Sequence, residues 1–506
     1  MTSAISTLQQ PRLPTKNATF EATDISRSSD LLPLVVDLDG TLTPTDTLAE
    51  LVVELLKHSP LTLFLLPLWL MQGIAHFKEQ VAAQTKFSAA TLPYRADVLQ
   101  FLVEQKALGR TLVLATAAHK SIAEAVASHL GLFDYAMGST SSCNLKGKRK
   151  LAMIVQHVGE AFVYAGDSRA DLPIWFAARA AVLVNVPTGL AKSVKDNVLV
   201  EREFPVARAQ LKVWAKAVRV HQWVKNLLIF VPLITGFSFF ELASVVPVLL
   251  AFLAFSFAAS ATYIVNDMSD LKNDRGHARK RNRPFASCAI GIAPGIGAAM
   301  ALMISAFLIA TQVSPGFFVV LLTYVIITSA YTLRLKEYVL IDVLTLSILY
   351  TIRIVAGAFA IGLTMSSWLL AFSVFMFLSL ALVKRCSELV SLRASDIESA
   401  KGRDYNTADL VILWPLGIGA ALSSVVIFGL FISASVTRER YATPEILWLV
   451  ALGLIYWLGR LWIKTARGEM HDDPIVYALK NNGSRVTIAI CIVAMVVGHF
   501  VDFLPN

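Results

Sequence analysis

The stretch Leu31-Leu-Pro-Leu-Val-Val-Asp37-Leu-Asp39-Gly-Thr-Leu-Thr43 joins a short apolar run to two aspartates one residue apart. The run has the length and composition of a buried strand. Carboxylates at its end project beyond the strand's carboxyl edge, which is where open α/β sheets bind ligands. Two later runs repeat the arrangement. Thr111-Leu-Val-Leu-Ala115 ends at Thr116, and Ala161-Phe-Val-Tyr-Ala165 ends in Gly166-Asp167-Ser168-Arg169-Ala170-Asp171. Helical segments separate the three runs, which predicts a parallel, doubly wound sheet over residues 31–205.

Residues 1–30 are polar and rich in Ser and Thr, with no basic start leading into an apolar run. They read as a disordered lead-in, not a signal peptide. Residues 44–105 read as a helical cap over the sheet edge. The cap includes the apolar stretch 59–77, Ser-Pro-Leu-Thr-Leu-Phe-Leu-Leu-Pro-Leu-Trp-Leu-Met-Gln-Gly-Ile-Ala-His-Phe. Pro60 and Pro67 interrupt that stretch, and it is short for a clean span. Two readings stay open: cap helices packed on themselves, or an apolar surface resting on the bilayer beside a lipid-borne substrate.

The aspartates, Thr116 and the Gly-Asp-Ser-Arg-Ala-Asp run together resemble the haloacid dehalogenase (HAD) phosphatases over about residues 33–200. The resemblance implies Asp37 as nucleophile and Asp39 as general acid/base, with Thr116 on the phosphoryl group. It implies a lysine from Gly147-Lys-Arg-Lys-Leu151, Lys150 before Lys148. It also implies a Mg²⁺ site built from Asp37, Asp167 and Asp171, with Asp39 beside them. The chemistry fits the residue types. A carboxylate attacking phosphorus splits one hard step into two, and a neighbouring acid protonates the departing oxygen.

The rest of the chain is different. Over 506 residues the hydrophobic fraction is 56% and the mean hydropathy +0.61, more than soluble domains carry. The excess lies in the second part, 206–506. Nine candidate spans are read there, at about 224–240, 245–265, 289–312, 315–332, 340–361, 367–383, 411–433, 446–463 and 485–503. The net charge of +9 sits between spans, for example at Lys272, Arg334, Lys384, Arg393 and Lys464. Its placement marks cytoplasmic loops and anionic ligands, and argues against nucleic acid. This orientation puts the N-terminal domain and the active face in the cytoplasm of a bacterial inner membrane, with the C-terminus outside. The four cysteines are far apart in sequence and suggest neither zinc nor disulfides.

The loop after the second span opens with Asn266-Asp267-Met-Ser-Asp270-Leu-Lys-Asn-Asp274-Arg275 and continues into Arg279-Lys280-Arg281-Asn282-Arg283-Pro284. A helix would place Asp267, Asp270 and Asp274 on one face, where repelling carboxylates need a cation between them. Oxygen-only ligands suit Mg²⁺, held with substrate phosphates. The basic cluster would take the phosphate oxygens, although a solvated loop accounts for that cluster taken alone.

This NDxxDxxxD arrangement followed by KRxRP looks like the UbiA superfamily of intramembrane transferases, from about residue 212 to the end. A second acidic motif is expected after the fourth span. The sequence offers Tyr331, Arg334, Lys336 and a lone Asp342, with Arg353 further on, so it departs from the usual acidic cluster. Arg219-Val-His-Gln-Trp-Val-Lys225-Asn226, with Lys384-Arg385 and Glu388, resembles the decaprenyl-phosphate phosphoribosyltransferase family. That family moves phosphoribose from phosphoribosyl pyrophosphate (PRPP) to a polyprenyl phosphate. By this resemblance the three aspartates hold Mg²⁺-pyrophosphate. Asn266, Arg275, Arg279, Arg281, Tyr331, Lys336 and Asp342 are also substrate-binding candidates, with Lys225, Lys384 and Arg385 set on phosphate. Snorkelling anchors would equally account for those last three.

The expectation is therefore an α/β HAD domain followed by an all-α, nine-span UbiA bundle, Mg²⁺-dependent in both parts. It would act on PRPP and polyprenyl phosphate in the bilayer, and could form a homo-oligomer. The membrane half would make polyprenyl-phosphoryl-5-phosphoribose and the HAD half would remove the 5-phosphate, held near by a short linker at about 200–212. A UbiA prenyltransferase acting on an aromatic or other acceptor is the alternative. A transporter or scaffold with a vestigial HAD domain is a third reading.

Overall fold

A computed structural model describes residues 31–205, 211–277, 279–399, 403–470 and 473–502. The lead-in expected at 1–30 lies outside these residues, as do parts of two polar loops, 400–402 and 471–472. The chain forms two compact units, Met1–Ala207 and Arg208–Asn506.

The first unit is a six-stranded parallel sheet in the order β3-β2-β1-β4-β5-β6. Its strands are β1 (Leu34–Val36), β2 (Leu112–His119), β3 (Tyr135–Ser139), β4 (Val163–Gly166), β5 (Ala180–Val184) and β6 (Leu199–Phe204). Side chains alternate between faces. Leu34 and Val36 pack with Leu114 and Val182 on one side, and Val35 packs with Val113, Ile154 and Trp175 on the other. A sheet buried on both faces needs continuous apolar strands, and the first runs supply them. The second run extends further than expected, through Thr116 to His119, with its register shifting between Ala115 and His119. Residues 200–204, expected as linker, are instead part of edge strand β6, whose Phe204 packs edge-on against Phe101.

The cap runs through helices Thr47–His58, Leu66–Met71 and Ile74–Gln84, with a 3-10 turn at Pro60–Phe64. Asp46 caps the first of these helices by accepting from Ala49 N at 3.0 Å. Pro67 in the first turn of the second helix costs no hydrogen bond there.

The second unit is helical. Eight helices among the described residues are long and apolar enough to cross a bilayer: Leu242–Ser269, Ile292–Val313, Pro315–Leu333, Ile341–Ala360, Ser367–Arg393, Thr407–Ser433, Pro444–Ala466 and Asn482–Phe500. The protein is therefore multi-pass. The first expected span, 224–240, is not one helix. It forms a 3-10 run, Val220–Phe230, and a short helix, Val231–Thr235, with Pro232 at their junction. Pro232 carries no N–H, and Lys225 and Asn226 turn inward as buried polar groups, so an uninterrupted lipid-facing helix does not form.

Ile341–Ala360 is the central helix, 72% buried against 17–39% for the other seven. Its Gly357 lets the 3-10 run approach, since a Cβ there would meet Ile229 O at 2.0 Å. Leu242–Ser269 turns small buried residues, including Ala251, Ala254, Ala258 and Ser260, toward its neighbours, which permits close packing without a hydrophobic driving force in lipid.

Candidate active sites

In the first unit, three strand ends deliver the site. Asp37 follows β1, with its N–H donating to Ala165 O at 3.0 Å. Asp167 follows β4, and Asp171 closes the next turn. Carboxylate oxygens of Asp37, Asp167 and Asp171 lie within 4.8 Å of one another, a donor set that fits a divalent cation. Lys150 Nζ pairs with Asp37 Oδ2 at 2.8 Å and lies 3.6 Å from Asp171 Oδ1. It also donates to Tyr164 Oη at 2.9 Å, which in turn donates to Asp171 Oδ1 at 2.8 Å. Asp171 Oδ2 accepts from the Ser168 N–H and hydroxyl at 3.1 and 3.0 Å. Every member of this buried network has a partner, as a low-dielectric site requires.

The electrostatics follow from burial. Burial, then Asp37 and Asp171, push Asp167 up to about 8. Burial, then Asp46, push Asp39 up to about 7. Burial would lower Lys150, but Asp37 and Asp171 outweigh it and hold the ammonium above its ordinary value. Three carboxylates around one lysine carry surplus negative charge, which a cation would relieve.

Asp39 does not join the trio through its side chain. Its carboxylate accepts from the Thr47 N–H at 2.9 Å and hydroxyl at 3.2 Å, at the start of the first cap helix. Thr116 is fully buried and accepts from Ala118 N at 3.0 Å. Of the two candidate lysines, Lys148 is exposed on the outer side of its helix and Lys150 is the one buried in the site. The sequence reading missed Lys78. It reaches from Ile74–Gln84 to Ala117 O at 2.5 Å and Asn144 Oδ1 at 2.8 Å. Burial pulls it below the ordinary lysine value. The only signal was one cation following a stretch with no Asp, Glu, Lys or Arg from 59 to 77.

In the second unit, the expected continuous helix face for three aspartates breaks at Asp270. Leu242–Ser269 ends there and a short helix, Leu271–Arg275, begins. Asp267 and Asp274 are buried and share Arg283 Nη1, at 3.1 and 2.7 Å. Arg219 also donates to Asp267, at 2.5 Å. Asp270 is half-exposed, with Lys336 at 4.0 Å. The two buried carboxylates converge on one guanidinium, so their oxygens would suit a divalent ion were Arg283 to move aside.

Beside them is a cavity of about 160 Å³ lined by Arg219, Lys225, Asn266, Tyr331, Tyr350 and Arg353, among others. Arg353 is buried within the central helix. It donates to Asn226 Oδ1 at 2.9 Å and to Tyr324 Oη at 3.3 Å, and it has no carboxylate partner among the described residues. A cation without a carboxylate partner inside a membrane bundle is a candidate ligand site. Lys225 Nζ binds Asp473 at 2.7 Å, where Lys384 at 3.6 Å and the Tyr350 hydroxyl at 3.1 Å also converge. Despite burial, these partners hold Asp473 near 2.

Two families match this chain. The haloacid dehalogenase-like hydrolase family matches residues 34–175, and the UbiA prenyltransferase family matches residues 229–483. The chain belongs to the UbiA prenyltransferase family. It carries a HAD-like domain at its N-terminus. Uncharacterized protein y4nM of Sinorhizobium fredii is 40% identical over 460 residues, 90% of this chain and 88% of the relative. Nodulation protein NoeC of Azorhizobium caulinodans is 32% identical over 292 residues, covering 58% of this chain and 94% of that protein. A decaprenyl-phosphate phosphoribosyltransferase of Mycobacterium tuberculosis is 31% identical over 223 residues, 43% of this chain and 72% of that enzyme.

Within the UbiA domain several expected site residues lie elsewhere. Arg279 and Arg281 are exposed on the loop, and the member of that cluster which enters the site is Arg283. Arg275 turns away to bind Ala286 O at 3.2 Å, bracing the loop. Asp342 and Arg385 bind each other, sealed in a buried cluster. There Tyr405 donates to Asp342 at 2.5 Å, and Glu388 bridges Arg385 to Arg403. Neither is available to phosphate, because each already neutralises the other. Asn266, Tyr331 and Lys225 do line the cavity. Arg219, Arg353 and Asp473 were not picked as site residues. In sequence the Asp472-Asp473-Pro474 run reads as a polar loop, and nothing local shows that two distant lysines meet Asp473.

Proposed function

We propose that the UbiA domain transfers 5-phosphoribose from PRPP to polyprenyl phosphate, and that the HAD domain then removes the 5-phosphate. The product would be polyprenyl-phosphoryl-ribose, a precursor for arabinose-containing envelope polymers. The observation that carries the reading is the cation-lined cavity at Asp267. Arg219, Lys225 and Arg353 face a small polar space suited to a donor with several phosphates. The relative named decaprenyl-phosphate phosphoribosyltransferase supports this choice of donor.

Mg²⁺ held by Asp267, Asp270 and Asp274 would neutralise the pyrophosphate as the anomeric bond ionises. Arg219 and Arg283, released from those carboxylates, would turn to phosphate oxygens. Arg353 would anchor a phosphate from inside the bundle. The alternative, prenyl transfer to another acceptor, also expels pyrophosphate, and the description of the family itself favours it. Arg385 pairs with Asp342 and takes that carboxylate away from the phosphates, which favours the ribosyl donor.

In the HAD domain Asp37 would attack phosphorus, breaking the bond to the sugar oxygen while Asp39 protonates that oxygen. Asp39 would then take a proton from the water that cleaves the aspartyl-phosphate. The raised Asp39 suits an acid that must be protonated near neutrality. A second Mg²⁺ would sit on Asp37, Asp167 and Asp171. We take the basic loops, both sites and the HAD domain as cytoplasmic.

Membranes containing the protein, given labelled PRPP or labelled prenyl diphosphate, decide between donors. Label entering lipid from PRPP alone supports the proposal; label from prenyl diphosphate alone overturns it. Asp37→Asn should leave transfer intact while the 5-phosphorylated lipid accumulates. Unphosphorylated product from that variant would sink the sequential scheme.

A further inference from the structure

The cap carries an apolar surface that the phosphatase fold does not use. Residues 60–74 expose Leu61 (78%), Phe64 (73%) and Met71 (84%), with Leu63, Leu65, Leu68, Leu70 and Ile74 between them. Only the opposite side of the segment, through Leu66 and Trp69, is packed on the core. Soluble surfaces scatter such residues singly, so a contiguous group of eight marks a docking surface. No Asp, Glu, Lys or Arg occurs from 59 to 77, while Lys57, Lys78 and Lys86 flank the stretch.

We propose that this surface is an interfacial membrane anchor, seated at the boundary of headgroups and acyl chains. Three observations favour lipid over another protein. First, the same chain carries eight bilayer-crossing helices. Second, β6 ends at Phe204 and the next described helix begins at Leu211. Seven residues of extended chain reach at most roughly 25 Å, so covalent linkage alone keeps the HAD domain near a membrane. Third, the segment has the make-up of an interfacial helix: an exposed apolar face, Lys57 and Lys86 flanking it in sequence, and two prolines that prevent it from spanning.

The anchor is mechanically joined to the site. Ile74, at the edge of the patch, begins the helix whose next turn holds Lys78, and Lys78 Nζ reaches Ala117 and Asn144 beside Thr116. Seating the patch in lipid would fix the cap and present the site to substrates whose phosphate is carried on a lipid. The inference goes beyond the proposed activity, and its test requires no turnover.

A dansyl-alanine residue is introduced at Met71 or, as a control, at the exposed Lys192 of the full chain. The protein is then reconstituted in nanodiscs of phosphatidylcholine and phosphatidylglycerol, with or without doxyl-labelled lipid. At 71 the emission should be blue-shifted and quenched roughly twofold by doxyl lipid, with no change at 192. Solvent-like emission at 71 overturns the proposal. So does blue-shifted emission that doxyl lipid leaves unquenched, since the patch is then covered by protein. A second variant, Leu61→Ser/Phe64→Ser/Met71→Ser carrying the dye at Leu68, should lose the quenching while the chain still elutes as a folded species. Retained quenching would equally overturn it.

Discussion

Lys150 Nζ stands 2.8 Å from Asp37 Oδ2 and 3.6 Å from Asp171 Oδ1, so one ammonium group ties the end of β1 to the turn after β4. It is 2% exposed, and no other lysine or arginine is ion-paired to this trio among the described residues. Removing it leaves buried carboxylates to repel one another and leaves the developing charge on a transferring phosphoryl group without its cation. Lys150→Ala should lower phosphatase turnover by ~10²–10³. Lys148→Ala, at an exposed position, should leave it within about twofold. Phosphate release from a sugar phosphate would check both, and equal losses would disprove the assignment of Lys150.

Asp167 sits at about 8 and Asp39 at about 7, both above an ordinary 3.8. Raised carboxyl groups hold protons in the folded state that the unfolded chain has lost. Without a divalent ion, this pair therefore favours folding below about pH 4, and the advantage fades as pH rises toward 8. A cation bound by the trio must displace the proton on Asp167, whereas Asp39 lies outside it. Mg²⁺ affinity for the HAD domain should rise about tenfold per pH unit between 5 and 7, then level off above 8. Calorimetric titration in two buffers of different ionisation enthalpy should show close to one proton released near pH 6 and almost none at pH 9. Asp167→Asn should abolish most of the release; pH-independent binding would refute the argument.

Gly40 has φ +80°, and a Cβ there would lie 2.1 Å from Asp167 Oδ2. Gly40→Ala must move either the turn or the carboxylate, and the space for a cation is lost in both cases. Mg²⁺-dependent stabilisation in a thermal melt should disappear, with the melting temperature of the ion-free domain reduced by only a few degrees. An unchanged Mg²⁺ response would show that the turn relaxes freely.

Much of the HAD fold was readable because its chemistry sits immediately after apolar runs, and parallel strands follow from the βα alternation, though their order does not. Asp37, Asp167, Asp171 and Lys150 meet where the motifs predicted. Lys78 was not readable, since its role depends on how a cap helix folds back over β2. In the membrane half, periodicity and hydropathy located the eight long helices but misread 224–240, where Asn226 and Lys225 belong to the interior. Spacing placed three aspartates on one face, but the chain turns at Asp270. Which of the four clustered cations faces inward depends on that turn, so Arg283 could not be told from Arg279 and Arg281. Asp342 read as a lone acid and a substrate-binding candidate because its partner, Arg385, is 43 residues away in sequence.

Arg353 supplies a buried positive charge that no carboxylate answers among the described residues, held by Asn226, Tyr324 and the carbonyl of Leu349. In lipid such a charge costs several kcal/mol unless an anion shares the site. If a donor phosphate is that anion, Arg353→Ala removes binding energy from ground and transition states alike, and KM should rise ~10²-fold with kcat nearly unchanged. Arg353→Lys keeps the charge but not the planar fork, and should recover only part of the loss. Asp267→Asn tests the other half of the site. It spares Arg219 and Arg283 for phosphate but withdraws a carboxylate from the cation, so kcat should fall ~10²–10³ with KM little changed. Initial rates of labelled PRPP incorporation in nanodiscs would separate the two patterns. If both variants moved kcat alone, Arg353 would be bracing the bundle through Asn226, not holding substrate.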